Sequence, residues 1–71
     1  MNFGANLRAE REKKGLTQQA VAAKVGISQS VLAQYELGIK SPSIVTAEAI
    51  ARVLGISIEL LLKGESKHGV D

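Results

Sequence analysis

Hydroxyl residues and glycines divide this chain into short segments of helical length. Four segments each follow a Ser or Thr and each stop at a Gly: 18–25, 29–37, 44–54 and 58–63. A Ser or Thr side chain accepts a hydrogen bond from the free N–H groups at a helix start, and Gly adopts the left-handed conformation that closes a helix. Val and Ile stand singly at helical spacing, not in the alternating runs of strands. With a further helix over Phe3 to Lys14, the pattern predicts an all-α fold of five helices.

The 71 residues are enough for one small domain. We expect it to occupy residues 1–64, followed by a polar, disordered tail at 65–71. A hydrophobic content of 45% can supply the core of such a domain. The absence of cysteine excludes disulfides and thiolate metal sites and fits a reducing compartment. Because no apolar run suggests a signal peptide or a membrane span, the sequence predicts a cytoplasmic protein with no membrane contact.

Positive charge is concentrated in the first half of the chain. Residues 1–40 hold six Lys or Arg and three Glu, whereas residues 41–71 hold three basic and four acidic residues. The net charge of +2 is a weak attraction for anionic partners, and most of that attraction lies in residues 1–40. This half contains the stretch TQQAVAAKVGISQSVLAQYELG, whose two helical segments meet at one glycine.

The third predicted helix has a face without charge. At about 100° per residue, small or hydrogen-bonding side chains share that face: Gln29, Ser30, Ala33 and Gln34. Small residues let the backbone approach another surface closely, and a Gln amide offers a donor and an acceptor together. That pair can bond N6 and N7 of adenine. The face is therefore suited to the base edges in a DNA groove.

The segment before it supplies the matching half of a helix-turn-helix. The positions that hold two crossing helices together are apolar or small: Val21, Ala22, Val25, Gly26, Ile27, Leu32 and Tyr35. Ala22 is small where the second helix must come close, and Gly26 permits the sharp turn. A generic helical hairpin would match some of these positions, but the complete set with its caps predicts a helix-turn-helix.

Several short motifs then resemble the phage repressor and Cro family, often called the Xre type. They are GLTQ, the turn from Ala22 to Gly26, Tyr35-Glu36-x-Gly38, Pro42-Ser43 and Leu54-Gly55. The resemblance extends from about Phe3 to Gly64. It implies a compact five-helix bundle, a lambda-repressor-like domain that binds double-stranded DNA, usually as a homodimer, with the third helix in the major groove.

The resemblance also implies roles for single residues. Gln29, Ser30 and Gln34 match base-contacting positions, and Ala33 would lie against the groove floor. Residues implied to contact or position the DNA phosphates are Thr17, Gln18, Ser28, Lys40 and Arg11. In some family members the residue at Gln18 also supports the glutamine at Gln29. Arg11 and Glu36 match an ion pair that joins the first helix to the end of the third.

Two departures from the family concern apolar residues. Leu37 and Ile39 stand where the family often has Lys or Arg, so we expect two exposed apolar side chains and modest DNA affinity per monomer. In the fifth helix, three successive leucines cannot all face one core. We expect Leu61 and one of its neighbours to be buried and Ile58 and Leu62 to be left outside. In this family the last helix commonly helps to form the dimer interface. The alternative is that the tail folds back over Ile58 and Leu62.

The function predicted first is a sequence-specific transcription regulator, a repressor that binds an inverted-repeat operator as a homodimer. The alternative is an antitoxin or other protein-interaction module, with a toxin or another protein as partner and DNA binding as a secondary activity. An enzyme is not expected, since no carboxylate pair, phosphate loop or activated nucleophile is present. Neither a cofactor nor a metal is expected, because the one histidine, His68, cannot form a zinc site alone.

Overall fold

A computed structural model describes residues 3–64, and within that range the chain forms five helices and no strand. The helices are α1 (Phe3–Lys13), α2 (Gln18–Val25), α3 (Gln29–Leu37), α4 (Ile44–Leu54) and α5 (Ile58–Lys63). The predicted fold class is confirmed. Only α1 differs from the expected bounds: it ends one residue earlier, because Lys14 already lies in the turn that Gly15 closes with a φ of 70°. The predicted disordered tail at 65–71, with His68, lies outside the described residues.

The predicted helix caps are all present. Each hydroxyl oxygen accepts a hydrogen bond from the backbone N–H three residues later, at 3.0–3.2 Å: Thr17 from Ala20, Ser28 from Val31, Ser43 from Thr46 and Ser57 from Leu60. Isolated helices of this length are only marginally stable in water. Each cap stabilises its helix by about 1 kcal/mol. The caps therefore fix where each helix begins, and packing supplies the remaining stability.

One core joins the five helices. Its buried members are Leu7, Val21, Ala22, Leu32, Tyr35, Ile50, Ala51, Leu54 and Leu61. In this core α1 packs against α3 and α5, α2 packs against α3 and α4, and α4 packs against α5. Helix α3 is consequently held from two sides, by α1 and α2, and its remaining surface faces outward. None of the helices in the described range has the length and the apolar content that crossing a membrane would need.

Helix α1 approaches the end of α3 very closely at Gly4. A Cβ atom at this position would overlap the carbonyl oxygen of Tyr35 and lie 2.7 Å from that of Glu36. Glycine is thus required by packing, and the ring of Phe3 meets the ring of Tyr35 edge-on beside it, with centroids 6.4 Å apart. The contact fixes the carboxyl end of α3 relative to α1.

A buried asparagine that the sequence analysis did not identify ties α1 to α5. Asn6 donates a hydrogen bond from Nδ2 to the carbonyl oxygen of Leu61 at 2.9 Å. Leu61 is fully buried as expected, and Leu62 is exposed as expected, at 43%. The expectation that Ile58 lies outside is wrong: it is half-buried and packs against the core. In this short helix, residues 58 and 61 are one turn apart, so both are turned toward α1 and α4.

Candidate nucleic-acid interface

The turn between α2 and α3 positions the candidate interface. Gly26 has a φ of 90°, and the N–H groups of Gly26 and Ile27 both donate to the carbonyl oxygen of Ala22, at 2.8 and 3.0 Å. Ile27 then packs against the core, and Ala22 is buried where the two helices cross. The predicted helix-turn-helix geometry is present, and it holds α3 across α2.

The uncharged face of α3 is the outer one. Gln29 and Ser30 are exposed, and Ala33 and Gln34 are half-buried. On the opposite side Leu32 and Tyr35 are buried in the core. The four residues that the sequence placed on one face thus lie together on the surface that α1 and α2 leave uncovered.

An ion pair locks the end of α3 to α1, as predicted. Arg11 donates from Nε to Oε2 of Glu36 at 2.6 Å and from Nη2 to Oε1 at 3.1 Å. Its Nη1 donates to the carbonyl oxygen of Leu16 at 2.8 Å. Both side chains are nearly inaccessible, at 11% for Arg11 and 3% for Glu36. The hydrogen bond to Glu36 raises the pKa of Arg11, with burial acting in the opposite direction, so the guanidinium is charged at every physiological pH.

Two glutamines extend this ion pair to the surface. Gln18 donates from Nε2 to Oε1 of Glu36 at 3.0 Å, and its own Oε1 accepts from Nε2 of Gln29 at 3.2 Å. A continuous chain of hydrogen bonds therefore runs from Arg11 through Glu36 and Gln18 to the exposed start of α3. The family resemblance anticipated its first and last links. It missed the link between Glu36 and Gln18, for which the only sequence indication is that a buried carboxylate needs more donors than one arginine supplies.

The residues expected to contact phosphate are distributed around this face. Thr17 and Ser28 are exposed and cap α2 and α3, and Gln18 is the first residue of α2, where free N–H groups and the helix dipole favour an anion. Lys40 is exposed in the loop after α3. Arg11 differs from these four, because it directs three donors into the protein.

Exposed apolar side chains lie at the end of α3 and at the start of α4. Leu37 is 71% exposed and Ile39 is 69% exposed, as expected from the sequence. Ile44 and Val45, at the start of α4, are also exposed, which the sequence analysis did not foresee. A shallow, mostly apolar cleft separates the start of α4 from the end of α5, and it is lined by Phe3, Ser41, Pro42, Ile44, Ala47 and Leu62.

Comparison with known proteins identifies similar sequences. A family model described as helix-turn-helix matches residues 7–61. The chain is 43% identical over 68 residues to YqaE of Bacillus subtilis (strain 168), an uncharacterised HTH-type transcriptional regulator. The alignment covers 96% of this chain but 59% of YqaE, so the chain spans less than two thirds of that relative.

Solved structures of similar fold include two regulators. The P22 c2 repressor protein, in complex with the synthetic operator 9T, superimposes with a TM-score of 0.85 at 31% sequence identity, covering 92% of this chain and 98% of that one. The complex of the SinR and SinI proteins gives a TM-score of 0.81 at 30% identity, covering 97% of this chain and 67% of the matched chain. The resemblance to phage repressors that the sequence suggested is thereby confirmed.

Proposed function

The chain belongs to the helix-turn-helix family, and from this premise we propose that it is a sequence-specific DNA-binding regulator of transcription. The observation that carries the proposal is the outer face of α3, where uncharged hydrogen-bonding side chains are held in place by the helix pair. A helix face that only contacts water usually carries charged side chains, which water hydrates more strongly than amides and hydroxyls. The uncharged face of α3 gains specific hydrogen bonds when base edges meet it in the major groove.

Each residue of the interface has a distinct proposed role. Gln29, Ser30 and Gln34 contact base edges, and Ala33 lies against the groove floor, where a thymine methyl group can pack on it. Contacts to phosphate come from a second set, which fixes the register of the protein on the duplex: Thr17, Gln18, Ser28, Lys40 and the first N–H groups of α2. We assign Arg11 a positioning role, since its guanidinium is engaged with Glu36 and Leu16.

The P22 c2 repressor is itself bound to an operator in the similar structure, which supports the role of repressor for this chain. We propose that it occupies an operator in the cytoplasm and blocks polymerase there, with no cofactor. A protein of this kind depends on phosphate contacts for much of its affinity. Leu37 and Ile39 supply none, so a single domain binds weakly and a specific site requires two.

A homodimer on an inverted repeat meets that requirement, with half-site centres about one helical turn apart. The proposed interface includes Leu62, which is exposed beside the apolar cleft that Ile44 also lines. Ile58 can contribute only the part of its surface that the core does not cover. Pairing two copies along this cleft would bury apolar surface that is otherwise exposed to water.

Selection from a random duplex DNA library at near-physiological salt tests the proposal. Enrichment of an inverted repeat is the expected result, and it would establish both sequence specificity and the dimer. Enrichment of single half-sites would support base recognition and contradict the homodimer. Failure to enrich any sequence, from a sample shown by circular dichroism to be folded, would refute DNA recognition.

The second candidate is a protein-interaction module such as an antitoxin. It is favoured by the exposure of Leu37 and Ile39, and the similar SinR protein is seen in complex with the SinI protein. Purification of the tagged chain from its native host separates the two proposals. A stoichiometric protein partner that is lost on changing Leu37 and Ile39 to Ser, without loss of operator binding, would support this candidate.

A further inference from the structure

We propose that Glu36 sets the direction of the amide groups of Gln18 and Gln29, and so makes Gln29 select adenine over guanine. The inference rests on the proposed function, because it concerns the base that Gln29 contacts. Glu36 would then be a positioning residue for base recognition, although its side chain is only 3% exposed.

The first step is the hydrogen bond between Glu36 and Gln18. A carboxylate can only accept hydrogen bonds, and the carboxylate of Glu36 is paired with the guanidinium of Arg11, whose Nε lies 2.6 Å from Oε2. Oε1 of Glu36 accepts from Gln18 at 3.0 Å. Only the NH2 group of an amide can donate, so Gln18 must turn its nitrogen toward Glu36 and its oxygen away. The assignment of nitrogen and oxygen at Gln18 is therefore fixed by chemistry.

In the second step, the orientation of the Gln18 amide determines the orientation of the Gln29 amide. The oxygen of Gln18 is an acceptor, so the group of Gln29 that lies 3.2 Å from it must be the NH2 group. The reverse arrangement would place two amide oxygens against each other. One N–H of Gln29 is thus occupied by the hydrogen bond to Gln18. The amide keeps its second N–H and its oxygen for a partner outside.

The third step compares this remaining pair with the bases. In the major groove, adenine presents an acceptor at N7 and a donor at N6, which one N–H and one oxygen satisfy together. Guanine presents acceptors at both N7 and O6, and it needs two donors. Gln29 has only one N–H left, so guanine would leave the amide oxygen facing O6. The hydrogen-bond chain therefore favours adenine.

The substitution Glu36→Gln removes the constraint while keeping the size of the side chain. An amide at position 36 can either donate or accept, so the amides of Gln18 and Gln29 can both reverse. A reversed Gln29 presents two N–H groups outward and can bond guanine. We expect the ratio of affinities for adenine over guanine at this position to fall roughly tenfold, toward the lower end of what one bidentate contact contributes.

The experiment measures binding of the full chain to its selected operator and to operators carrying G·C for A·T at single positions. Gln29→Ala first identifies the base pair that Gln29 contacts, because the sequence preference at that base pair is lost in this variant. Glu36→Gln and Gln18→Met are then compared with Arg11→Lys as the matched control. Gln18→Met interrupts the chain and leaves the Arg11–Glu36 pair intact. Arg11→Lys weakens the bidentate pair but keeps a cation beside the carboxylate of Glu36.

The expected result is a lower adenine preference in Glu36→Gln and Gln18→Met, and an unchanged preference in Arg11→Lys despite its lower melting temperature. A preference that stays unchanged in Gln18→Met would overturn the inference, even if Glu36→Gln does not fold. An equal loss in Arg11→Lys would overturn it too, because a general loosening of α3 would then explain the effect. If the folded protein selects no operator at all, the proposed function fails first, and the inference fails with it.

Discussion

Replacing Arg11 by Met tests how far the buried ion pair stabilises the fold. The change removes two charge-assisted hydrogen bonds to Glu36 and one bond to the carbonyl oxygen of Leu16. It leaves the carboxylate buried with Gln18 as a remaining donor. Breaking one side of a buried pair costs about 3–5 kcal/mol, and the residual donor places this case near the lower end. We expect the free energy of unfolding to fall by about 3 kcal/mol, which is a large part of the total for a small domain.

Urea unfolding followed by circular dichroism measures this change, and thermal melting should show a decrease of about 12 °C or more. The chain offers a matched control in Arg8, whose ion pair with Glu12 lies within α1 at 3.0 Å. Those side chains are 63% and 55% exposed, so Arg8→Met should change the free energy by no more than about 0.5 kcal/mol.

The double variant Arg11→Met with Glu36→Leu completes the test. An apolar pair of similar volume often replaces a buried ion pair at no net cost, so most of the lost stability should return. If Arg11→Met proves as mild as Arg8→Met, the pair is solvated in solution and the reasoning from burial is refuted. If the double variant is no more stable than Arg11→Met, the loss does not come from the uncompensated charge on Glu36.

Three further predictions concern DNA binding and assembly. Gln29→Ala should cost about 1–3 kcal/mol of binding free energy on the selected operator and relax the preference at one base position, whereas Lys40→Ala should weaken binding to all sequences alike. Competitive binding assays measure both effects. An equal loss of affinity on every sequence for Gln29→Ala would contradict base contact. Leu62→Arg should give a folded monomer with weak operator binding, checked by sedimentation, and a variant that remains dimeric would exclude Leu62 from the interface. Leu37→Lys should add a phosphate contact, which steepens the dependence of log affinity on log salt by about 0.9. An unchanged salt dependence would mean that position 37 does not face the DNA backbone.

The helices were predictable from the sequence because their determinants are local. Ser28, Gly38 and the residues between them lie within one short stretch, and their hydrogen bonds are the ones that isolated helix ends require. The family match confirms the motif and the prediction that the chain is not an enzyme. The positions of the caps follow from the sequence because each cap bond joins residues only three apart.

Apart from the end of α1, the errors and omissions involve contacts between distant parts of the chain. Ile58 was expected on the surface because α5 has more apolar residues than one helix face holds. In the structure α5 packs against both α1 and α4, so a wider part of its surface, including part of Ile58, is buried. The exposure of Ile44 and Val45 depends on which neighbours reach the first turn of α4. The hydrogen bond from Gln18 to Glu36 joins residues 18 apart in the sequence, and helical periodicity does not predict it. The roles proposed for the base and phosphate contacts stay predictions.

The hydrogen bond from Asn6 to Leu61 brings the first and last described helices side by side. During synthesis α1 leaves the ribosome first, and its partner α5 follows only after more than forty further residues. The bond that closes the domain therefore forms late, and a chain halted before Leu61 would keep Asn6 and part of the core open to water. Because the start of α1 lies beside α5, a circularly permuted domain in which Gly64 is joined to Phe3 by a linker, and which is opened in the loop before Pro42, should regain the fold.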